Sequence, residues 1–141
     1  MESMSYWRLH YHLVWATYTR LPLITPPRER IICQTIFAKA RDLGLIVHAI
    51  GMEDHLHVVV SIPPTLSLAQ CVKQLKGASA RAVNINSTEA SFHWQEGYGA
   101  LTIGGRSLTS VIEYVSRQAE HHGRGTTTQA YERINENRDG S

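Results

Sequence analysis

The period of the apolar residues changes along this chain in one order, and that order restricts the fold more than any single motif does. Residues 6–17, Tyr-Trp-Arg-Leu-His-Tyr-His-Leu-Val-Trp-Ala-Thr, are aromatic and β-branched and read as a strand. Residues 18–26 hold Pro22 and Pro26 and read as a loop. Thr25-Pro26-Pro27 then starts a helix, Ile32, Ile36, Lys39/Ala40 and Leu43 recur at helical spacing, and Gly44 ends the run. Leu45–Gly51 and His55–Ser61 are two further strands joined by Met52-Glu53-Asp54. Ser67 can cap a second helix carrying Leu68, Val72, Leu75, Ala78/Ser79 and Ala82. A polar loop covers Asn84–Glu89, and Phe92–Ile103 reads as a broken strand or a hairpin. Gly104-Gly105 breaks the chain, Ser107–His122 is a last helix stopped by Gly123, and residues 124–141 form a polar tail.

The order β-α-β-β-α-β plus one helix predicts an α+β, ferredoxin-like domain. Its antiparallel sheet carries strands one and three in the middle, and two helices cover one face. The other face stays free for a partner or a site. Residues 1–123 form the single domain on this reading, at a length of 141 residues. No apolar run approaches the ~20 residues of a membrane span, and the start lacks the apolar stretch of a signal peptide. Cys33 and Cys71 fall inside helical patterns and form no disulfide framework, which points to a reducing cytoplasm.

Fourteen Lys+Arg against twelve Asp+Glu leave a net charge of +2, too small to argue nucleic-acid binding from bulk charge. Positive charge for such a partner must be local. Lys73-Gln74-Leu75-Lys76-Gly77-Ala78-Ser79-Ala80-Arg81 supplies three cations and no acid, so Lys73, Lys76 and Arg81 form either a solvated helix face or a phosphate-tracking surface. Arg8, Arg20 and Arg106 could extend it.

Two features carry chemistry. In His55-Leu56-His57 the strand period of two points both imidazoles to one face, while Leu56, Val58 and Val60 point to the core. The pair is either a two-point metal ligand or two exposed histidines on a half-wet sheet. On the last helix Leu108, Val111, Ile112, Val115 and Ala119 form an apolar stripe, with Tyr114, Gln118 and His121 along one edge. Tyr114 and Gln118 are i, i+4 neighbours, and an amide oxygen there could complete a metal site begun by the histidines. A tyrosine in that place can equally be core edge.

Taken together, the chain resembles the single-tyrosine HUH transposases of the smallest bacterial insertion sequences, and their REP-associated relatives in particular. The matching pieces run in family order: Tyr11–Trp15, Met52–Val60, Leu75–Ser79, Trp94–Ala100 and Tyr114-Val115-Ser116-Arg117-Gln118 followed by Glu120-His121-His122. The resemblance implies that His55, His57 and Gln118 hold one Mg²⁺ or Mn²⁺. It implies that Tyr114 attacks a scissile phosphate of single-stranded DNA, leaving a 3′-OH and a 5′-phosphotyrosine. It implies recognition of DNA hairpins at element ends, for which Lys73, Lys76, Arg81 and Arg20 are the candidate contacts. It also implies a homodimer in which the tyrosine helix can serve the partner's histidines, with Gly104-Gly105 as hinge. Asp54 flanks the metal strand and His121 the tyrosine, so both are candidates for supporting roles. Many members carry proline where Glu53 stands, and Glu53 is given no role.

Three rival readings remain open on the sequence. One is a non-catalytic RRM-like module stacking bases of single-stranded nucleic acid on Tyr11 and Trp15, although that family needs aromatics on strand three. A second is a zinc site recruiting His93 or His121. A third is a domesticated nickase that processes chromosomal hairpins with the same chemistry.

Overall fold

The computed structural model describes residues 6–18, 23–52, 55–85 and 91–117. Their order is β1 (His10–Ala16), α1 (Pro26–Leu43), β2 (Ile46–Met52), β3 (His55–Ser61), α2 (Leu68–Ile85), β4 (Gly99–Ile103), a 3₁₀ turn (Gly105–Ser107) and α3 (Leu108–Ser116). The strands form one antiparallel sheet in the order β2-β3-β1-β4. This is the ferredoxin-like arrangement, with β1 and β3 in the middle.

Local chemistry explains the boundaries. Prolines in the first turn of α1 lack an N–H exactly where none is needed, and Glu29 N–H reaches the Thr25 carbonyl at 2.8 Å. At the other end Gly44 takes the left-handed conformation, φ 75°. Leu45 N–H then bonds to the Ala40 carbonyl and Gly44 N–H to that of Arg41, closing a Schellman cap. Ser67 caps α2 by accepting from Gln70 N–H at 3.1 Å.

The strand period sorts the sheet into two faces. Leu13 and Trp15 of β1, and Leu56, Val58 and Val60 of β3, face α1 and α2. There they are buried with Ile32, Ile36, Ala40, Val72, Leu75, Phe92 and Trp94. Val59 of β3 and Ala49 of β2 face the other way and pack with Ile103, Val111, Tyr114 and Val115. An irregularity between Val47 and Ala49 shifts β2 by a residue, so that Ala49, not His48, stands opposite Val59.

Three expectations change. The strand placed at 6–17 begins at His10. The broken strand at 92–103 resolves into an irregular segment that buries Phe92 and Trp94 and is tied by an isolated bridge between Trp94 and Thr17, followed by β4. The second sheet face is covered by α3 where a free face was expected. Among the described residues that helix runs from Leu108 to Ser116, with Arg117 in a turn. Residues 118–122 lie outside the described residues, as does the polar tail.

Two motifs of the sequence interlock to hold the 92–98 segment. The Trp94 indole N–H donates to Ser79 Oγ at 2.9 Å, and Ser79 Oγ donates to the Leu75 carbonyl at 2.8 Å. Lys76 Nζ donates to the carbonyls of Gln95 at 2.7 Å and Gly97 at 2.8 Å. Gly97 has φ 80°, a conformation that a side chain would resist. Phe92 and Asn84 exchange two hydrogen bonds, and the Phe92 and Trp94 rings meet edge to face at 4.7 Å.

Candidate nucleic-acid cleavage site

The site is built on the middle of the sheet. His55 and His57 sit on β3 at alternate positions, on the face shared with Val59, and their ring centroids are 5.3 Å apart. Register sets Val14 of β1 and Gly51 of β2 on either side of His57. His57 is wholly buried and His55 is 5% exposed, so neither is the exposed histidine of the bland reading.

A third histidine joins them that spacing alone did not single out. His12 is wholly buried on β1, and its Nε2 lies 3.0 Å from His57 Nδ1. Burial pushes the His12 imidazole down to about 4, so it is neutral at neutral pH. A signal was present: His12 alternates with the core residues Leu13 and Trp15, so it must share the face of His57 once the two middle strands pair. At the far end of the same face, Ser61 Oγ lies 2.6 Å from His10 Nδ1 and 2.7 Å from His48 Nε2. That second polar cluster was also missed.

Tyr114 comes from α3, which lies over this face. It is 8% exposed, its hydroxyl oxygen is buried, and its cluster includes Val59, the next residue after His57 on that side of β3. The structure therefore brings Tyr114 and the histidine strand to one face of the sheet. Gln118, His121, Asp54 and Arg20 lie outside the described residues.

Two neighbouring imidazoles on a rigid strand fit a divalent transition ion as a partial donor set. Among the described residues no group of three His, Cys, Asp or Glu side chains forms a metal site. A complete set needs a further donor, and Gln118 remains the candidate. His93, considered for zinc, is exposed, with its ring 6.4 Å from that of Tyr18.

The basic helix lies on the other side of the sheet. Lys73 and Arg81 are exposed and, with Lys39 of α1, line a groove of about 410 Å³ that Gln74, Gly77 and Ala78 complete. Lys39 was not among the expected cations. Lys76 is half-buried, holding the Gln95 and Gly97 carbonyls while it also lines a neighbouring groove with Lys73 and Tyr98. Arg8 and Arg106 are exposed. Tyr11 and Trp15 are no base-stacking platform: their parity turns them to the helix-covered core, where Trp15 is wholly buried against Trp94.

Comparisons with known proteins agree with this arrangement. The family described as IS200-like transposases matches residues 5–118. The ISDra2 transposase TnpA of Deinococcus radiodurans is 26% identical over 119 residues, 79% of this chain and 85% of that protein. The transposase of insertion sequence element IS200 from Salmonella typhimurium is 24% identical over 121 residues, 81% of this chain and 79% of that protein. Among solved structures, a Deinococcus radiodurans protein assigned as a transposase superposes with a TM-score of 0.68 at 24% identity, covering 84% of this chain and 96% of that one. A REP-associated tyrosine transposase bound to a REP hairpin superposes with a TM-score of 0.65 at 13% identity, covering 87% and 75%. No helix among the described residues is long and apolar enough to cross a membrane.

Proposed function

Because the chain belongs to the IS200-like transposase family, we propose that it cuts and rejoins single-stranded DNA with Tyr114 as the nucleophile. The observation that carries this reading is the shared face: His55, His57 and the helix bearing Tyr114 lie on one side of the sheet.

In the proposed reaction the Tyr114 oxygen forms a bond to phosphorus and the bond from phosphorus to the 3′ oxygen breaks. Net, the phenolic proton passes to the departing 3′ oxygen, and the 5′ side stays on the protein as a phosphotyrosine. The phosphodiester is exchanged, not hydrolysed, so another 3′-OH can rejoin the strand by the reverse step. Mg²⁺ or Mn²⁺ held by His55, His57 and Gln118 would supply Lewis-acid stabilisation of charge on the phosphate. Since the Tyr114 hydroxyl is buried under α3, α3 must shift on the sheet before the oxygen meets a phosphate.

DNA hairpins are the proposed ligand of the basic groove, where Lys73, Arg81 and Lys39 would contact phosphates, with Lys76 and Arg20 as further contacts. The structural relative bound to a REP hairpin supports this. A homodimer is part of the same reading, as is a single nuclease domain over residues 1–123.

The test is covalent capture. Labelled single-stranded DNA from the flanks of the gene is incubated with protein and Mn²⁺ or Mg²⁺ and run on a denaturing gel. A metal-dependent band of protein-linked DNA is expected, absent for Tyr114→Phe. Capture by Tyr114→Phe equal to wild type would remove Tyr114 from the chemistry.

A further inference from the structure

We propose that His12 is a positioning residue: it accepts the Nδ1–H of His57, so that His57 turns an unprotonated Nε2 toward the site. The inference rests on the reading above, in which His57 is a metal ligand.

The two ring nitrogens lie 3.0 Å apart and share one proton along the contact. Only two arrangements exist. If His12 donates from Nε2, then His57 carries its own proton on Nε2 and has no lone pair left for a metal. If His57 donates from Nδ1, its Nε2 lone pair is available, and His12 carries its proton on Nδ1. A histidine that binds metal commonly has its tautomer fixed in this way by a partner on its other nitrogen.

The framework makes His12 suited to that task. It stands on β1 and His57 on β3, the two middle strands, in a fixed antiparallel register. Both side chains are wholly buried, so neither ring can turn to water for an alternative partner. Their rings lie 5.2 Å apart and tilted by 30°, side by side and not stacked face to face. A wholly buried imidazole is costly unless specific bonds answer it, and the contact at 3.0 Å reaches the proposed ligand.

The tautomer can be read in the metal-free protein. Long-range proton–nitrogen correlation spectra of ¹⁵N-histidine protein in EDTA, assigned with His57→Ala, report which nitrogen of His57 is protonated. The proposal expects the proton on Nδ1; a proton on Nε2 overturns it. This measurement needs no variant of His12, so it decides the matter even where His12→Phe does not fold. In a second arm, Mn²⁺ binding is followed by the loss of the free-ion EPR signal. His12→Phe is expected to weaken binding ~10–100-fold, and His12→Gln, whose amide oxygen reaches where Nε2 stood, to restore part of it. Weaker binding in His57→Ala combined with unchanged binding in folded His12→Phe overturns the role of His12. Unchanged binding in His57→Ala instead overturns the metal reading beneath it, and the presentation of Nε2 with it.

Discussion

Ser79 offers the sharpest test of how the fold is held beneath the site. Its side chain is wholly buried, and its oxygen accepts the Trp94 indole N–H at 2.9 Å while donating to the Leu75 carbonyl at 2.8 Å. Ser79→Ala leaves the Leu75 carbonyl its helical partner but strands the indole N–H of a residue only 9% exposed. A stranded buried donor costs about 1–3 kcal/mol. Alanine returns up to ~0.5 kcal/mol of helix propensity relative to serine, so a net loss of about 1–2 kcal/mol is expected. Trp94→Phe removes the donor itself. In that background Ser79→Ala strands nothing and is expected to be neutral or slightly stabilising. Urea unfolding of the four proteins closes the cycle, with a coupling of about 1–2 kcal/mol read from midpoints at constant slope. Equal costs of Ser79→Ala in both backgrounds, within the ~0.3–0.5 kcal/mol error of additivity, would refute the argument.

A glycine that ends one helix and a glycine inside another should respond in opposite senses. Gly44→Ala forces a side chain into φ 75° and is expected to cost about 1 kcal/mol, while Gly77→Ala, whose new Cβ meets open space inside α2, is expected to stabilise by about 0.5–1 kcal/mol; both are read by thermal or urea unfolding. His12 is held at about 4 against an ordinary 6.5, so the unfolded chain takes up the proton first and stability falls as pH drops through that window. Between about pH 7 and about pH 5 this amounts to roughly 2 kcal/mol, measured in EDTA against His12→Gln; equal acid sensitivity of the two proteins would sink it. Lys73→Ala and Arg81→Ala should each weaken hairpin binding and lower its salt slope by about 1, whereas an unchanged slope would place the DNA elsewhere.

Much of the fold was legible because its signals are local. The period of two gave β3 its limits, the prolines and Gly44 bounded α1, and Ser67 capped α2 as expected. The misjudged elements depend on long-range contacts. Residues 92–98 have strand composition, but Phe92 and Trp94 are drawn to Asn84 and Ser79 of α2, and Lys76 holds the carbonyls that a ladder would otherwise use. The same holds at the site. The histidine pair is written in one strand, while the role of His12 depends on the register between β1 and β3, which no single segment contains. Tyr114 stood out by its place beside an apolar stripe; that the stripe would cover the histidine face was not visible, because an α-helix pattern does not name the surface it packs on.

The sheet itself divides the proposed labour. Lys39, Lys73 and Arg81 line a groove on the helix layer at one side, and His55, His57 and the helix bearing Tyr114 lie on the other. The sheet and the helix layer on its other face stand between the two places, so one phosphate cannot occupy both. Binding in the groove therefore cannot by itself deliver the scissile bond. The strand must pass an edge of the sheet, at β2 or β4, or reach the tyrosine face of a second copy. Only β4 leads directly, through Gly104 and the 3₁₀ turn, into the helix that carries Tyr114. Neither Gly104 nor Gly105 has a neighbour that a Cβ would strike, and the Gly104 backbone, at φ −71°, suits any residue. The static structure thus does not require glycine there; under the proposed function, a connection that let α3 leave the sheet and uncover the Tyr114 oxygen would give these two residues a reason.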